Sequence, residues 1–258
     1  MPVDGRSSSR CKAAVGSALR RPIVGAVARR ILRERIPNRG VRIRSDRPRL
    51  DDATVAALVS GTYESHEVRL VRRFLAGSDL VVELGGSIGV IGAHVLDVMA
   101  SDGRFVVAEA DPVLVADLPE RLEPHRRPDQ QIEVIAAAVV GRLPSTGVVR
   151  FNSTVSDGDH LTGRVGGSLD SGPGEMVPAI TLGDICSRPT FAVGGFDLVC
   201  DIEGAEHDLL RDDAAALERC RTIVVELHGT DADMRETFDR IRRLGFEPVE
   251  RLGAVHAL

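Results

Sequence analysis

Leu80-Val81-Val82-Glu83-Leu84-Gly85-Gly86-Ser87-Ile88-Gly89 decides the reading of this chain. A short apolar run breaks at two glycines, and helical spacing resumes over residues 88–100. That is the strand–turn–helix opening of a parallel α/β unit. The same rhythm continues outward. Phe105–Glu109 reads as a second strand, followed by a turn at Asp111-Pro112 and a helix to about Leu122. Ile132–Val140 is a third apolar run, and Phe196–Ile202 a fourth strand with a helix from Ala205. Thr222–Leu227 is a fifth, with a helix over Asp231–Leu244, and Phe246–Arg251 and Ala254–Leu258 form two short strands around Gly253. Upstream, residues 51–60 and 64–76 have helical spacing, with Val55, Leu58, Val68, Val71, Phe74 and Leu75 apolar.

The pattern predicts an α/β fold, a Rossmann-like and mostly parallel seven-stranded sheet with an antiparallel hairpin at one edge. Ligands of such sheets bind beyond the carboxyl ends of the strands, at the topological switch point. Residues 141–179 break the rhythm. They are rich in Gly, Ser and Asp, with only Val148, Val149 and Phe151 as β-like residues, and read as a substrate loop or lid.

The chain has 258 residues, of which 43% are hydrophobic and 28% charged, so a buried core is expected and wholesale disorder is not. No run reaches the roughly 20 apolar residues that span a bilayer, and no secretory signal pattern opens the chain. Cys11, Cys186, Cys200 and Cys220 lack CxxC spacing, which argues against a zinc ribbon or disulfide scaffold and points to a reducing cytoplasm. The formal charge of −5 is uneven: residues 1–50 hold 14 basic and 3 acidic side chains, and residues 51–258 hold 19 and 35. The acidic body, 51–258, excludes nonspecific nucleic-acid binding through its main surface. The basic arm, 1–50, carries apolar residues at Leu19, Ile23, Val24, Val27, Ile31, Leu32 and Ile36, which predicts an amphipathic helix ended by a turn at Pro37-Asn38-Arg39-Gly40. Residues 1–10 read as disordered. The arm packs on the acidic body or a second subunit, or it makes peripheral contact with an anionic membrane or a lipid-linked substrate.

The glycine turn fits a nicotinamide fingerprint poorly, because Ser87 and Val90 stand where GxGxxG requires its second and third glycines. The spacing E-x-G-x-x-x-G matches the turn of S-adenosylmethionine enzymes, with Glu83 toward the ligand's ammonium end. Glu109 ends the second strand 24 residues after Gly85, where an acid accepts both hydroxyls of a ribose. Asp201-Ile202-Glu203-Gly204-Ala205-Glu206 places three carboxylates where a strand becomes a helix, and alternation sends Asp201 and Glu203 to one side. Glu226 and His228 end the fifth strand. His228 is the candidate base for a substrate hydroxyl. Alternatively Asp201, Glu203, Glu226 and His228 hold a divalent cation such as Mg²⁺, and sequence does not separate base from ligand.

These motifs resemble the FkbM-type S-adenosylmethionine-dependent methyltransferases, over roughly Tyr63 to the end. The family reads Y-E, D-V-G-A-N-I-G, E-P-x-P, K-I-D-V-E-G-A-E and E-x-H. The counterparts are Tyr63-Glu64, Glu83 to Gly89, Glu109-Ala110-Asp111-Pro112, Cys200 to Glu206 and Glu226-Leu227-His228. Glu83 replaces the usual Asp, Gly86 and Ser87 replace Ala and Asn, and Cys200 stands where the family has lysine. The resemblance implies that Glu83, Gly85, Gly86, Ser87 and Gly89 hold the amino-acid end of S-adenosylmethionine, with Glu109 and Ala110 at the ribose, Ala137 by the adenine and Asp201 nearby. It implies His228 as base, Asp201 and Glu203 orienting the acceptor, and methyl transfer to a hydroxyl of a sugar, oligosaccharide, glycolipid or natural product. Methylation of protein or RNA, a non-catalytic binding scaffold, and a nicotinamide dehydrogenase are the competing readings.

Overall fold

The computed structural model describes residues 22–32, 35–44, 50–154, 162–165, 174–191 and 194–258. The expected disorder of residues 1–10 and the helical positions before Pro22 lie outside them. The chain divides into two compact units between Ser65 and His66.

The first unit holds helix α1 (Pro22–Leu32), the hairpin β1 (Arg35–Asn38) and β2 (Val41–Arg44), and helix α2 (Asp52–Val59). The amphipathic helix therefore ends at Leu32, short of the predicted Ile36. The turn at Arg39-Gly40 closes a hairpin, pairing Asn38 with Val41 and Ile36 with Ile43, and does not end a helix. The physical reason is a change of period. From residue 35 arginines alternate with the buried Ile36, Asn38, Val41 and Ile43, and β-branched residues at period two favour a strand. Buried Asn38 donates to the Leu58 carbonyl at 3.0 Å, tying the hairpin to α2. Because α2 belongs to this unit, the unit extends past residue 50, where the sequence alone draws the line.

The second unit begins within helix α3 (Ser65–Phe74). Its strands are β3 (Leu80–Leu84), β4 (Arg104–Glu109), β5 (Gln131–Ala136), β10 (Phe196–Cys200), β11 (Cys220–Glu226), β12 (Glu250–Leu252) and β13 (Val255–Ala257). They form one sheet in the order β12-β13-β11-β10-β3-β4-β5. The β11, β10, β3, β4 and β5 pairs are parallel, and β13 and β12 form the antiparallel edge, as the sequence predicts. The connections are helices α4 (Val90–Val98) and α5 (Pro112–Leu122), then α7 (Glu206–Asp212), α8 (Ala214–Leu217) and α9 (Asp231–Arg243), with a short α6 (Leu182–Cys186) before β10. Helix starts obey local chemistry. Asp111 accepts from the Val113 and Leu114 amides with Pro112 at the first helical position, and Thr181/Asp184 and Thr230/Asp233 form capping boxes.

The switch point lies between β3 and β10, since the chain winds outward from β3 through β4 and β5 and returns on the other side as β10 and β11. Leu84 pairs with Cys200 at the carboxyl ends of these strands, so the glycine turn and the acidic stretch leave the sheet side by side.

Residues 141–179 are not a single loop. Strands β7 (Val148–Thr154), β8 (Thr162–Val165) and β9 (Glu175–Ile180) join β6 (Ala138–Val139) in a second sheet ordered β6-β9-β7-β8, with residues 155–161 and 166–173 outside the described set. Among the described residues its buried core is Ala138, Phe151 and Val177, and so sparse an apolar face leaves almost no alternation to read.

His256 lies in β13, 3% exposed, with its ring 4.8 Å from that of Phe238. Burial pushes its pKa down to about 4 from the usual 6.5, with Arg251 adding to the effect. The unfolded chain binds this proton first, so stability falls as pH drops from about 6.5 toward 4. Between pH 8 and pH 5, urea denaturation should show wild type losing up to about 2 kcal/mol more than His256→Leu.

Candidate active site

The glycine turn is held by the strand beside it. The Gly85 and Gly86 amides donate to the Ala108 carbonyl at 2.9 and 3.1 Å, and Gly89 donates to Gly86. Gly85 has φ +90, and a Cβ there would lie 1.8 Å from the Asp201 carbonyl oxygen. Only glycine lets the β3 turn pass the β10 end at that distance. Ser87 also takes a positive φ of 44. This conformation aims its amide at Glu109 Oε2, which accepts at 2.7 Å, while Glu109 Oε1 accepts from Asp111 N–H at 2.7 Å. Burial raises the Glu109 pKa, and these two donors oppose that rise.

The structure thus joins Glu109, Gly85, Gly86, Ser87 and Gly89 in one turn. Glu83 is buried, on the sheet face that α4 covers: a Cβ on Gly92 of that helix would meet Glu83 Oε2 at 2.9 Å. Ala110 is half-buried and packs against the small core of the second sheet. Ala137 is different. Its methyl belongs to the main core, and its amide donates to the Glu109 carbonyl at 3.1 Å. A place for its side chain beside an adenine is not what the structure shows.

The acidic stretch forms a tight turn built on Glu206, whose side chain is fully buried. Its Oε1 accepts from the Ile202 and Gly204 amides at 3.0 Å, and its Oε2 from Gly204 at 2.9 Å. The strand ends at Cys200, and Glu203 and Gly204 turn through positive φ. Asp201 and Glu203 are therefore brought together by this turn, not by strand alternation.

His228 closes the cluster. Its Nδ1 lies 3.3 Å from Glu206 Oε1, and its Nε2 lies 3.8 Å from Glu203 and 3.9 Å from Glu226. The Glu206 hydrogen bond lifts its pKa to about 9, against the opposing effect of partial burial, with Asp201 and Glu203 adding to the rise. The resting ring is an imidazolium at neutral pH. Burial works against ionisation of Glu206, yet His228 and the Gly204 amide outweigh it and lower its pKa.

Three residues around this cluster escape sequence reading. Glu67 of α3 is 3% exposed and brings a carboxylate oxygen within 4.8 Å of Asp201 and Glu226. Its signal is an acid on the same helical face as Leu70 and Val71, where an apolar residue is expected. His207 of α7 donates from Nε2 to the His228 carbonyl at 2.5 Å and accepts from the Thr237 hydroxyl on α9. Neither His207 nor Thr237 has a sequence signal, because their contacts join distant segments. The donor atoms of Asp201, Glu203 and His228 also lie within 4.8 Å of one another. Cys200 is buried in the core, and burial pushes its thiol well above its usual pKa.

A parallel sheet with an antiparallel edge, a glycine turn and a ribose-type acid at its switch point define a class I, Rossmann-like methyltransferase. The match to the methyltransferase FkbM domain spans residues 91–248, and the chain belongs to that family. It is an S-adenosylmethionine-dependent methyltransferase. Curated proteins gave no sequence match. Solved structures similar to it include a putative RNA methyltransferase from Pyrococcus horikoshii, at 15% identity and TM-score 0.41, covering 75% of this chain and 70% of that one. Fibrillarin of Aeropyrum pernix, with natively bound S-adenosyl-L-methionine, is 14% identical at TM-score 0.42, covering 74% and 70%. A methyltransferase from Geobacter sulfurreducens is 14% identical at TM-score 0.41, covering 100% and 96%.

The ion pair makes a direct prediction. His228 should titrate near 9 by NMR, and Glu206→Gln should return it toward 6.5. The stability that the pair contributes is fully present below about 6.5 and is lost as pH rises through about 9. A His228 midpoint near 6.5 in wild type would disprove the pairing.

Proposed function

We propose that the enzyme methylates a hydroxyl oxygen of a sugar, oligosaccharide, glycolipid or natural product. The observation that carries this reading is His228 set among Asp201, Glu203, Glu206 and Glu226 at the carboxyl ends of β10 and β11. Ionised carboxylates only accept hydrogen bonds, which suits an acceptor rich in hydroxyls. The acidic charge of residues 51–258 favours a small-molecule or glycan acceptor over a nucleic acid.

The residues fit the cofactor. Glu109 accepts from the Ser87 and Asp111 amides, one on each oxygen, and its carboxylate keeps lone pairs for ribose hydroxyls. Gly85, Gly86, Ser87 and Gly89, with Glu83 behind them, would hold the amino-acid end, and Asp201 would stand beside it. When bound, S-adenosylmethionine supplies a methyl group already activated on a sulfonium. The chain positions the acceptor and removes its proton. Asp201 and Glu203 orient the hydroxyl. Glu206 keeps a proton on Nδ1 of His228, so the lone pair of the neutral ring is on Nε2, toward Glu203 and Glu226. His207 fixes the backbone beneath that ring. With a pKa of about 9, about one site in a hundred holds neutral imidazole at pH 7. A positive charge arriving near the cluster lowers that value and increases the neutral fraction.

A second reading, in which Mg²⁺ binds among Asp201, Glu203 and Glu226, draws on two donor groups that share Asp201, one with Glu203 and His228 and the other with Glu67 and Glu226, each with its atoms within 4.8 Å of one another. Chelation of divalent ions abolishes turnover in that reading and leaves it unchanged in the first.

Calorimetry and initial rates with hydroxyl acceptors test the assignment. Glu109→Gln should weaken S-adenosylmethionine binding about ten-fold. His228→Gln should leave that affinity unchanged and cost at least about 100-fold in kcat. In wild type kcat/KM should rise with pH to a bend near 9, with the bend in kcat at lower pH. Full turnover by His228→Gln would remove it as the base.

A further inference from the structure

We propose that helix α1 is an interfacial anchor that seats the first unit on an anionic phospholipid surface. The observation is which face the helix turns inward. It packs on α2 through its small residues, Gly25 and Ala28. A Cβ on Gly25 would lie 1.7 Å from the Asp52 carbonyl oxygen, so the backbones meet as closely as glycine permits. Arg29 locks the orientation, with Nε 3.2 Å from Asp52 Oδ1 and a guanidinium N–H donating to the Leu50 carbonyl at 2.6 Å. Three large aliphatic residues point outward, while Val24 and Leu32 are half-buried. Ile23, Val27 and Ile31, spaced four apart along one face, are 69%, 52% and 71% exposed. Rotating the helix to hide them would break the Gly25 approach and the Arg29 bonds.

Charge selects the occupant. Residues 22–44 hold seven arginines against one acid, Glu34. The hairpin buries Ile36, Val41 and Ile43 and turns Arg35 and Arg42 outward, with Arg35 directly across from Arg44. An anionic lipid surface attracts such a basic patch, and long guanidinium stems reach headgroups while aliphatic side chains enter the acyl boundary. A three-residue stripe flanked by arginine is too narrow and too charged to be the core of a stable protein interface. This inference rests on the first unit alone and does not depend on the acceptor.

The full chain is tested by flotation with vesicles of phosphatidylcholine alone or mixed with phosphatidylglycerol. Wild type should partition about ten-fold more onto the anionic vesicles, and added salt should release it. Ile23→Ser with Ile31→Ser, and separately Arg35→Ser with Arg42→Ser, should each cut binding about ten-fold at an unchanged melting temperature. No partition of wild type overturns the proposal. So does equal binding to both vesicle types that neither variant alters. So does a dimer, seen by sedimentation, that Ile23→Ser with Ile31→Ser abolishes without affecting lipid binding. A lowered melting temperature with lipid binding intact would place the stripe against protein and also overturn it.

Discussion

The site depends on one buried carboxylate. Glu206 has no solvent to stabilise its charge, and such a group is tolerated only when fully matched by donors and an opposite charge. It is matched by the amides of Ile202 and Gly204 and by His228. Those bonds dictate the shape of the turn after β10. Glu203 and Gly204 take left-handed conformations to point the amides at it, and that shape places Glu203 beside Asp201. The same carboxylate decides how His228 is charged.

The cluster raises an electrostatic problem. Glu67, Asp201, Glu203, Glu206 and Glu226 converge at the end of two strands. Cys200 places a neutral thiol in the core, and the groups that most perturb it electrostatically are Glu206, Asp201 and Glu67. The positive partner of Glu206 in this chain is the imidazolium of His228, from the next strand. Cation and prospective base are then one residue, so its charge state couples the stability of the turn to the chemistry. His207 and Thr237 link α7 and α9 to the His228 backbone.

Much of the fold was legible because parallel strands buried on both faces leave continuous apolar runs. Leu80–Leu84 matches its predicted span, and the glycine turn and acids fall where the strand ends were read. Boundaries failed where two periods overlapped: Ile36 continues a helical spacing and also begins an alternating one, and hairpin pairing won. The second sheet was illegible because the three buried side chains among its described residues are too few to make a pattern. At the site, local motifs named Asp201, Glu203, Glu226 and His228. Glu67, His207 and Thr237 act through contacts between segments that only the folded chain brings together. The charge of His228 was also hidden, since it comes from burial of Glu206, and burial is not written in a motif.

The second sheet carries a consequence for how this scaffold diversifies. It leaves the main sheet after Ala136 and returns through β9, paired parallel with β6, before β10 begins. It has its own hydrogen-bond ladder and its own small core. An excursion that enters and exits at one pair of strands behaves as a cassette. Its length and sequence can drift or be exchanged between relatives while the glycine turn, Glu109 and the Glu206 turn keep their register. Chimeras joined at β6 and β9 would inherit the glycine turn, Glu109 and the Glu206 turn in place.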